Sequence, residues 1–248
     1  MARAVISSVP KRNRYLVGIC TLNEGDKIRR TVRKFSDYAN YDVLIIDDGS
    51  DDGSVANLSP HPSLTVIYND RPRGAGYGTR QTIDYGRLQD YEAVIFVSGN
   101  DKDDPSDVPL LLDALEKGHD LVQGSRYLKG GAHGNMPAYR KVATRIVHPL
   151  LFSLISGKKI TDSTNGFRAM RLSLMDDARL NLNQAWLDQY ELEPYLFYKA
   201  IRLKYRVTEV PVKKIYPPKH ESYTKMKPFS GWWSILRPLV FLALRIKQ

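Results

Sequence analysis

The sequence predicts an α/β protein with a mostly parallel sheet covered by helices on both faces. Strand patterns and helix patterns alternate through the first half of the 248 residues, which is typical of strands joined by helical crossovers. In addition, 42% of the residues are apolar and 26% are charged, so the chain is long and apolar enough to bury a large core. This composition excludes a disordered tail, and the single cysteine, Cys20, excludes an internal disulfide.

Each strand is predicted from a short apolar run that ends in polar or turn residues. The clearest runs are YLVGICT at 15–21, YDVLII at 41–46 and EAVIFVS at 92–98. The other predicted strands are 64–68, one that begins at 121, and 206–212.

The helices are predicted from the stretches between and after these strands. They are 23–38, 78–88, 108–118, 141–155, 187–203 and a terminal helix at 232–246. A Gly-rich loop is expected at 124–134, because glycine adopts unusual backbone angles at little cost.

The net charge of the chain is unevenly placed. There are 37 Lys and Arg against 27 Asp and Glu, a net charge of +10. From Lys199 to the C-terminus the chain has 12 basic residues against two Glu, so this last fifth carries the whole imbalance. A surplus of this kind indicates an anionic partner. Nucleic acid is disfavoured, because an apolar Trp-containing helix accompanies the basic residues in place of aromatic residues spaced for base stacking.

Residues 213–248 are predicted to form a basic, amphipathic helical appendage of a main domain at 1–212. Trp232 and Trp233 begin an apolar helix that is too short to span a bilayer, which is typical of an interfacial anchor. We therefore expect association with an anionic membrane surface. The alternative is a terminal helix packed on the core or in a dimer, with both Trp buried. Because one free cysteine fits a reducing compartment, we expect a cytoplasmic location, peripheral on the membrane.

Polar residues follow the first two predicted strands where each strand ends. The first strand runs into TLNE at 21–24 and the second into DDGS at 47–50. Ligands of open α/β sheets bind outside the carboxyl ends of the strands. Asp47 and Asp48 would suit a ligand that offers donors, such as a base N–H group or ribose hydroxyls. The alternative is that these residues form only a turn.

A dense polar stretch, SGNDKDDP at 98–105, follows the fourth predicted strand. Its three carboxylates and one amide are oxygen ligands of the type that Mg²⁺ or Mn²⁺ accepts, with substrate phosphates completing the shell. The alternative is a solvated loop in which Asp103, Asp104 or Ser106 caps the following helix.

Five motifs in order resemble those of the family 2 glycosyltransferases, which have the GT-A fold. They are TLNE, DVLIIDDGS, QGSRYLKGG, TDSTNGFRAMR and TEVPV, with the acidic stretch between the second and third. The set is especially similar to the polyprenyl-phosphate branch typified by dolichyl-phosphate mannose synthase, and it covers about residues 15–227. The resemblance implies an inverting enzyme that moves a sugar from a nucleotide-sugar donor to a polyprenyl (dolichyl-type) phosphate at the membrane surface.

The resemblance also implies which residues contact the donor. They are Thr21, Leu22, Glu24, Asp47, Asp48, Ser98, Gly99, Asn100, Lys102 and Arg126. Arginine suits this task because its guanidinium binds phosphate through a bidentate fork.

The metal motif of the family, Asp-x-Asp followed by Gly-Gln or Leu-Gln, is altered in this chain. Aligned without a gap on the following proline, Ser98 and Asn100 take the carboxylate positions and Lys102 takes the position of the Gln. Either a one-residue shift makes Asp101 the Mg²⁺ or Mn²⁺ ligand, assisted by Asn100 or Asp103, or Lys102 supplies part of the cation's charge to the diphosphate. We favour the metal bound through Asp101, because several carboxylates lie nearby.

On the acceptor side, the resemblance implies roles for Asp162, Arg168 and Glu193 in catalysis. Arg140, Arg168 and Lys225 are expected to bind the acceptor phosphate. Asp162 and Arg168 could instead form an ion pair that fixes the loop. If the acceptor is already a phosphate, no strong base is required, and Asp162 then supports the structure while Arg168 orients the anion.

Two other functions stay open from the sequence. One is a GT-A glycosyltransferase that adds a sugar to a lipid-linked or polysaccharide glycan. The other is a non-catalytic relative that binds a nucleotide sugar, which the altered metal motif permits.

Overall fold

The structure, a computed structural model, describes residues 11–35, 40–216, 230–244 and 246. Its centre is a sheet of seven strands: β1 Tyr15–Thr21, β2 Tyr41–Asp47, β3 Leu64–Tyr68, β4 Ala93–Ser98, β5 Leu121–Ser125, β6 Arg168–Arg171 and β7 Val207–Pro211. The strand order is β3-β2-β1-β4-β6-β5-β7, and every neighbouring pair is parallel except those of β6. The predicted α/β fold with a mostly parallel sheet is confirmed.

Seven α-helices accompany the sheet in the described part of the chain. They are α1 Asp26–Arg33, α2 Ala75–Leu88, α3 Val108–Glu116, α4 Ala138–Val142, α5 His148–Ser156, α6 Leu192–Arg202 and α7 Ser230–Ala243. Short 3₁₀ turns lie at Pro105–Asp107, Leu172–Asp176 and Ala185–Leu187.

The helices cover both faces of the sheet, as predicted. Successive side chains of a strand point to opposite faces, and β1 shows this with Val17 and Ile19 in one core and Leu16 in the other. The core that contains Val17 packs under α1 and α3. The core that contains Leu16 packs under α2, α5, α6 and α7.

Strand β6 was not among the predicted elements, and it is the one antiparallel strand of the sheet. Its sequence, RAMR, is only four residues long and has Arg at both ends, so no apolar run marks it. Arg168 pairs with Phe96 of β4 in the register. Because β6 runs against its neighbours, its first residue lies beside the end of β4, and the segment before it reaches the edge of the sheet where ligands bind.

Residues 138–156 form one continuous helical stretch in which a π-helical turn, Ala143–Val147, separates α4 from α5. Pro149 follows this turn and has no backbone N–H to donate, so it cannot continue the regular hydrogen-bond ladder. Wide turns of this type occur frequently at functional sites. The sequence predicted the helix but not the π turn.

Helix α7 packs against the main domain. Leu239 and Leu242 are buried in the core on this face, and Arg237 pairs with the fully buried carboxylate of Glu191. Trp233 is exposed on the outer side of the helix, and the side chain of Trp232 lies outside the described residues. The described part of α7 therefore combines a packed inner face with an exposed outer face. The division into 1–212 and 213–248 stays a prediction.

None of the helices in the described ranges has both the length and the apolar character needed to cross a membrane.

Candidate functional site

A cleft of about 890 Å³ lies at the carboxyl ends of β1 and β4 and beside the start of β6. It brings together most of the predicted site residues: Thr21, Leu22, Glu24, Asp48, Ser98, Gly99, Asn100, Lys102, Arg126, Arg140, Arg168 and Glu193. Four other predicted residues do not line it: Asp47, Asp101, Asp103 and Asp162.

Hydrogen bonds hold the loop after β1 against the loop after β2. The side-chain amide of Asn23 donates to Asp51 Oδ1 at 2.8 Å and accepts the backbone N–H of Asp51 at 3.0 Å. The backbone N–H of Asn23 donates to Ser50 Oγ, and that of Gly25 donates to Asp52. Because Asn23 has a positive φ of 49°, TLNE turns sharply away from the strand. The two loops therefore form one preorganised wall of the cleft.

The neighbouring carboxylates of Asp47 and Asp48 have different tasks. Asp47 accepts the N–H and the hydroxyl of Ser50 at 3.0 and 2.5 Å, so it forms the turn that the sequence offered as an alternative. Asp48 lines the cleft and accepts the backbone N–H groups of Arg73 and Gly74 at 2.8–3.0 Å. Of the two, Asp48 is the one able to face a ligand.

The carboxylates after β4 are neutralised away from the cleft. Both carboxylate oxygens of Asp101 pair with cations of the α1 region. Arg30 Nε lies 2.6 Å from Oδ2, and Nζ of Lys34, the residue that follows α1, lies 2.6 Å from Oδ1. Asp103 is buried and pairs with Lys214 Nζ at 2.5 Å. Both side chains thus pair with lysine and arginine partners, and neither lines the cleft. The metal held by Asp101 with help from Asp103 stays a prediction, and this arrangement does not favour it.

The cleft residues of this loop do not fit a divalent cation. Of the three predicted ligands only Asn100 lines the cleft, and its Oδ1 is buried without a hydrogen-bond partner in the described structure. On the cleft side this loop presents a neutral amide oxygen and the ammonium group of Lys102. It presents no carboxylate there, although carboxylates are the usual protein ligands of such a cation. Across the described ranges no group of three His, Cys, Asp or Glu side chains could hold a metal ion.

Positive charge is concentrated in the cleft instead. Lys102 is only 8% exposed, and its Nζ lies 4.9 Å from the centroid of the Tyr216 ring. Burial, together with the positive charges of Lys214 and Arg140, lowers the pKa of Lys102 to about 8. Lys27 also lines the cleft. Cations that share one partly buried space favour an anionic ligand.

Arg126 and Asp162 form a buried bidentate ion pair. Arg126 Nε and Nη2 donate to the two carboxylate oxygens at 2.6 and 2.7 Å, and the Arg126 N–H donates at 3.1 Å. Burial alone would lower the pKa of Arg126, but the Asp162 carboxylate raises it above its ordinary value. Asp162 is fully buried and does not line the cleft. This geometry favours the alternative in which Asp162 supports the structure, because its carboxylate is saturated by Arg126.

Arg168 pairs with Glu193, not with Asp162 as the sequence suggested. Its Nη1 donates to the Glu193 carbonyl at 2.9 Å, its Nη2 donates to the Asn165 carbonyl at 2.7 Å, and Nη2 lies 3.6 Å from Glu193 Oε2. Burial lowers the pKa of Arg168. The Glu193 side chain is one-third exposed, so it is the predicted catalytic carboxylate that stays accessible from the cleft.

Three buried polar atoms on the cleft lining have no hydrogen-bond partner among the described residues. They are Thr21 Oγ1, Asn100 Oδ1 and Arg168 Nε. Buried polar groups are nearly always paired in folded proteins, so such atoms indicate a missing partner. Their position in one cleft indicates a polar ligand.

The predicted acceptor-phosphate residues are only partly described. Arg140 and Arg168 line the cleft, and the Arg140 guanidinium lies 5.5 Å from the centroid of the Tyr216 ring. Lys225 lies outside the described residues.

Several cleft residues were not among the predicted set. Lys27, Lys214 and Tyr216 line the cleft, as do His148 and Ser163, whose Nδ1 and Oγ lie 2.7 Å apart. A lone histidine carries no pattern in the sequence, and its partner is 15 residues away. The fold alone brings these side chains to the site.

Comparisons with known proteins agree with this architecture. The model of Glycosyl transferase family 2 matches residues 16–179. The chain is 29% identical over 212 residues to a polyprenol monophosphomannose synthase of Mycolicibacterium smegmatis, covering 83% of this chain and 79% of that protein. It is 28% identical over 204 residues to an undecaprenyl-phosphate mannosyltransferase of Micrococcus luteus, covering 80% and 82%.

Solved structures share the fold at low sequence identity. A glucosyl-3-phosphoglycerate synthase of Mycobacterium tuberculosis in complex with Mn²⁺ and UDP superposes with a TM-score of 0.62 and 16% identity, covering 94% of this chain and 79% of that one. A mannosyltransferase of Pyrobaculum calidifontis in complex with GDP-Man and Mn²⁺ has a TM-score of 0.60 and 16% identity, covering 100% and 68%.

Proposed function

The chain belongs to glycosyl transferase family 2, and on this premise we propose that it transfers a sugar from a nucleotide-sugar donor to a polyprenyl phosphate at a membrane surface. The relatives whose names include a polyprenol or an undecaprenyl phosphate match most of the chain and most of their own length. The observation that carries the proposal is a cationic cleft bordered by an exposed apolar helix. A phosphate on a lipid needs both surfaces together.

The donor half of the reaction would use the wall between β1 and β4. Asp48 suits the base or ribose, because its carboxylate follows β2 and lines the cleft. Ser98, Gly99 and Asn100 lie where the diphosphate would follow. A Cβ on Gly99 would come 3.0 Å from Thr21 Cβ, so a side chain here would require its neighbours to shift. Positioning of the donor accounts for much of the catalysis in such a displacement.

The acceptor half favours an anionic oxygen as nucleophile. A hydroxyl acceptor needs a base to remove its proton, whereas a phosphate oxygen does not. The carboxylate of Asp162 is saturated by Arg126, which supports an acceptor that is already ionised. Arg168 and Arg140 would hold that phosphate, since both guanidinium groups line the cleft. In the proposed inverting transfer, the acceptor oxygen attacks the anomeric carbon as the nucleoside diphosphate leaves.

One side of the stretch 138–156 is an exposed apolar stripe. Its members recur at helical spacing: Tyr139, Val142, Ile146, Val147, Leu150, Leu151 and Leu154. Leu150 and Leu154 are 62% and 78% exposed. Contiguous exposed apolar surface of this kind marks an interaction site. Basic side chains flank it at Lys141, Arg145, Lys158 and Lys159.

The apolar stripe suits a membrane better than a protein partner for two reasons. Its flanking Lys and Arg residues complement anionic headgroups. The same helical stretch lines the cleft through Arg140, Thr144 and His148, and Tyr139 and Val147 of the stripe also reach the cleft. A lipid that enters from the membrane would therefore reach the cationic site along one helix. The C-terminal segment was expected to supply this anchor. Seven of the described exposed large apolar residues lie on 138–156, whereas the C-terminal segment exposes Trp233, Val240, Leu244 and Ile246.

The proposed reaction predicts transfer of label to lipid. Incubation of the protein with undecaprenyl phosphate in anionic vesicles and a panel of labelled GDP-, UDP- and dTDP-sugars should make the label extractable into organic solvent with at least one donor. Transfer to a glycan hydroxyl acceptor, with none to polyprenyl phosphate under any donor, would contradict the phosphate acceptor and favour the glycan alternative. Donor binding without turnover on any acceptor would favour a non-catalytic relative.

Replacing Glu193 with Gln separates a phosphate acceptor from a hydroxyl acceptor. With a phosphate acceptor we expect kcat to fall by less than about 10-fold, because no proton is removed in the transition state. A general base would contribute about 100- to 10,000-fold. The pH dependence of kcat provides the second readout: a base at Glu193 would produce an acidic limb that E193Q abolishes. A loss above 100-fold together with the loss of that limb would refute the phosphate mechanism.

A further inference from the structure

The loop after β4 carries four charged side chains in succession, but only one of them faces the cleft. Asp101 pairs with Arg30 and Lys34, and Asp103 pairs with Lys214. Asp104 accepts the backbone N–H of Ser106 at 3.1 Å. None of these three carboxylates lines the cleft, whereas Lys102 does. Of the charged side chains of this loop, the cleft therefore receives an ammonium group and no carboxylate.

The other carboxylates that line the cleft contact protein groups. Glu24 lies 3.8 Å from Lys27 Nζ, and Glu193 lies 3.6 Å from Arg168 Nη2. Asp48 accepts from backbone N–H groups and from Asn69 Nδ2 at 3.0 Å. Within the loop after β4, the side chains on the cleft supply neutral oxygens and a buried lysine, and no carboxylate.

Lys102 is held in place by its surroundings. The carbonyl of Lys102 accepts the N–H of Ile215 at 2.8 Å, and its ammonium group packs over the ring of Tyr216. Asp103, the next residue, bonds to the N–H of Ser98 at 2.9 Å and to Lys214. The segments 98–103 and 214–216 are joined by these contacts, so the position of the ammonium group is set by two loops at once.

We propose that Lys102, with the nearby cations of the cleft, takes the place of a divalent cation, so that this chain binds and cleaves its donor without metal. The inference rests on the proposed function. The ammonium group would contact the diphosphate of the donor, as a charge-assisted hydrogen-bond donor to a phosphate oxygen. The unpartnered Oδ1 of Asn100 would accept a hydrogen bond from a ribose hydroxyl or a base N–H group of the donor.

The chemical step balances without a metal. The bond between the anomeric carbon and the oxygen of the β-phosphate breaks, and its electron pair stays on that oxygen. A bond forms between the anomeric carbon and an oxygen of the acceptor phosphate, which is already anionic, so no proton is released. The leaving diphosphate gains one negative charge, and the fixed positive charge of Lys102 stabilises it. In metal-dependent enzymes a bound metal ion supplies this stabilisation of the charge that develops on the leaving group.

Calorimetry with nucleoside diphosphates tests the inference separately from transfer. GDP, UDP and dTDP are titrated into the full chain in EDTA and again in Mn²⁺, and the nucleotide that binds is then used for the variants. We expect the Kd to differ by less than about 3-fold between the two conditions. Lys102→Gln should weaken binding in EDTA by at least 10-fold, and Lys117→Gln, an exposed lysine of an i,i+4 pair with Asp113, should leave it unchanged.

A variant that restores the family motif provides the converse test. Ser98→Asp/Asn100→Asp/Lys102→Gln recreates Asp-x-Asp-x-Gln, and its nucleotide binding should become dependent on Mn²⁺ by at least 10-fold. Its circular dichroism and thermal unfolding would show that it folds. If it does not fold, Lys102→Gln decides the question alone.

The outcomes separate this inference from the proposed function. Nucleotide binding and transfer by the wild-type chain only in Mn²⁺ would overturn the metal-free inference and leave the glycosyltransferase proposal standing. Equal affinities of the Lys102→Gln variant and the wild-type chain for the nucleotide in EDTA would also overturn the metal-free inference. No binding of any nucleotide in either condition would overturn both. Metal-free transfer that Lys102→Gln reduces at least 100-fold in kcat would support both.

Discussion

Replacing Asp162 with Asn is expected to lower the free energy of unfolding by about 3–5 kcal/mol, the usual cost of removing one partner of a buried ion pair. The substitution removes the negative charge but keeps the shape, so the guanidinium of Arg126 is left buried and uncompensated. Arg126 donates to both carboxylate oxygens in a pocket from which water is excluded. Urea unfolding followed by tryptophan fluorescence measures the change.

Two control variants separate charge from packing at this site. Asp113→Asn breaks an exposed pair with Lys117 and should change the free energy of unfolding by less than about 1 kcal/mol. Arg126→Met/Asp162→Leu removes both charges, and it should be less destabilised than Asp162→Asn, because no buried charge is left unpaired. Equal stabilities of Asp162→Asn and wild type would show that Asp162 is free to act in the cleft, against the supporting role assigned to it.

Replacing Leu150 and Leu154 together with Asp is expected to reduce binding to anionic vesicles by at least about 100-fold. Transfer of a fully exposed Leu side chain into an apolar environment is worth about 1.5–3 kcal/mol, and the two added carboxylates repel anionic lipid. Both leucines are largely exposed on the apolar stripe, so folding should be unaffected. Vesicle co-sedimentation at fixed ionic strength measures the loss.

Leu88→Asp is the matched control for the apolar stripe. Leu88 is 76% exposed, and it is the last residue of α2, whose first turn lies at the cleft. Placed at the far end of that helix, it should not contact the membrane, and its variant should bind vesicles as wild type does. If both variants bind equally, or if binding is lost only when residues 213–248 are altered, the membrane contact lies elsewhere in the chain.

Local sequence patterns predicted most of the elements that form the sheet. Strands β1 and β3 begin and end where the apolar runs do, because each run is bounded by turn residues. The antiparallel strand β6 was missed, since a four-residue segment with two arginines carries no period. Helix α6 begins at Leu192, five residues after the predicted start, because a 3₁₀ turn ends at Leu187 and non-helical turns occupy residues 188–191.

The sequence by itself determined the family, the fold and the membership of most of the cleft, because residues at the ends of parallel strands must meet at one edge of the sheet. Only the tertiary structure decided which charges face that cleft. The stretch SGNDKDDP contains three carboxylates and one lysine, and counting them favoured a metal ion. The fold turns Asp101 toward α1 and Asp103 toward Lys214, and it places Lys102 on the lining of the cleft. The partner of a charge depends on segments far along the chain, which no local pattern encodes.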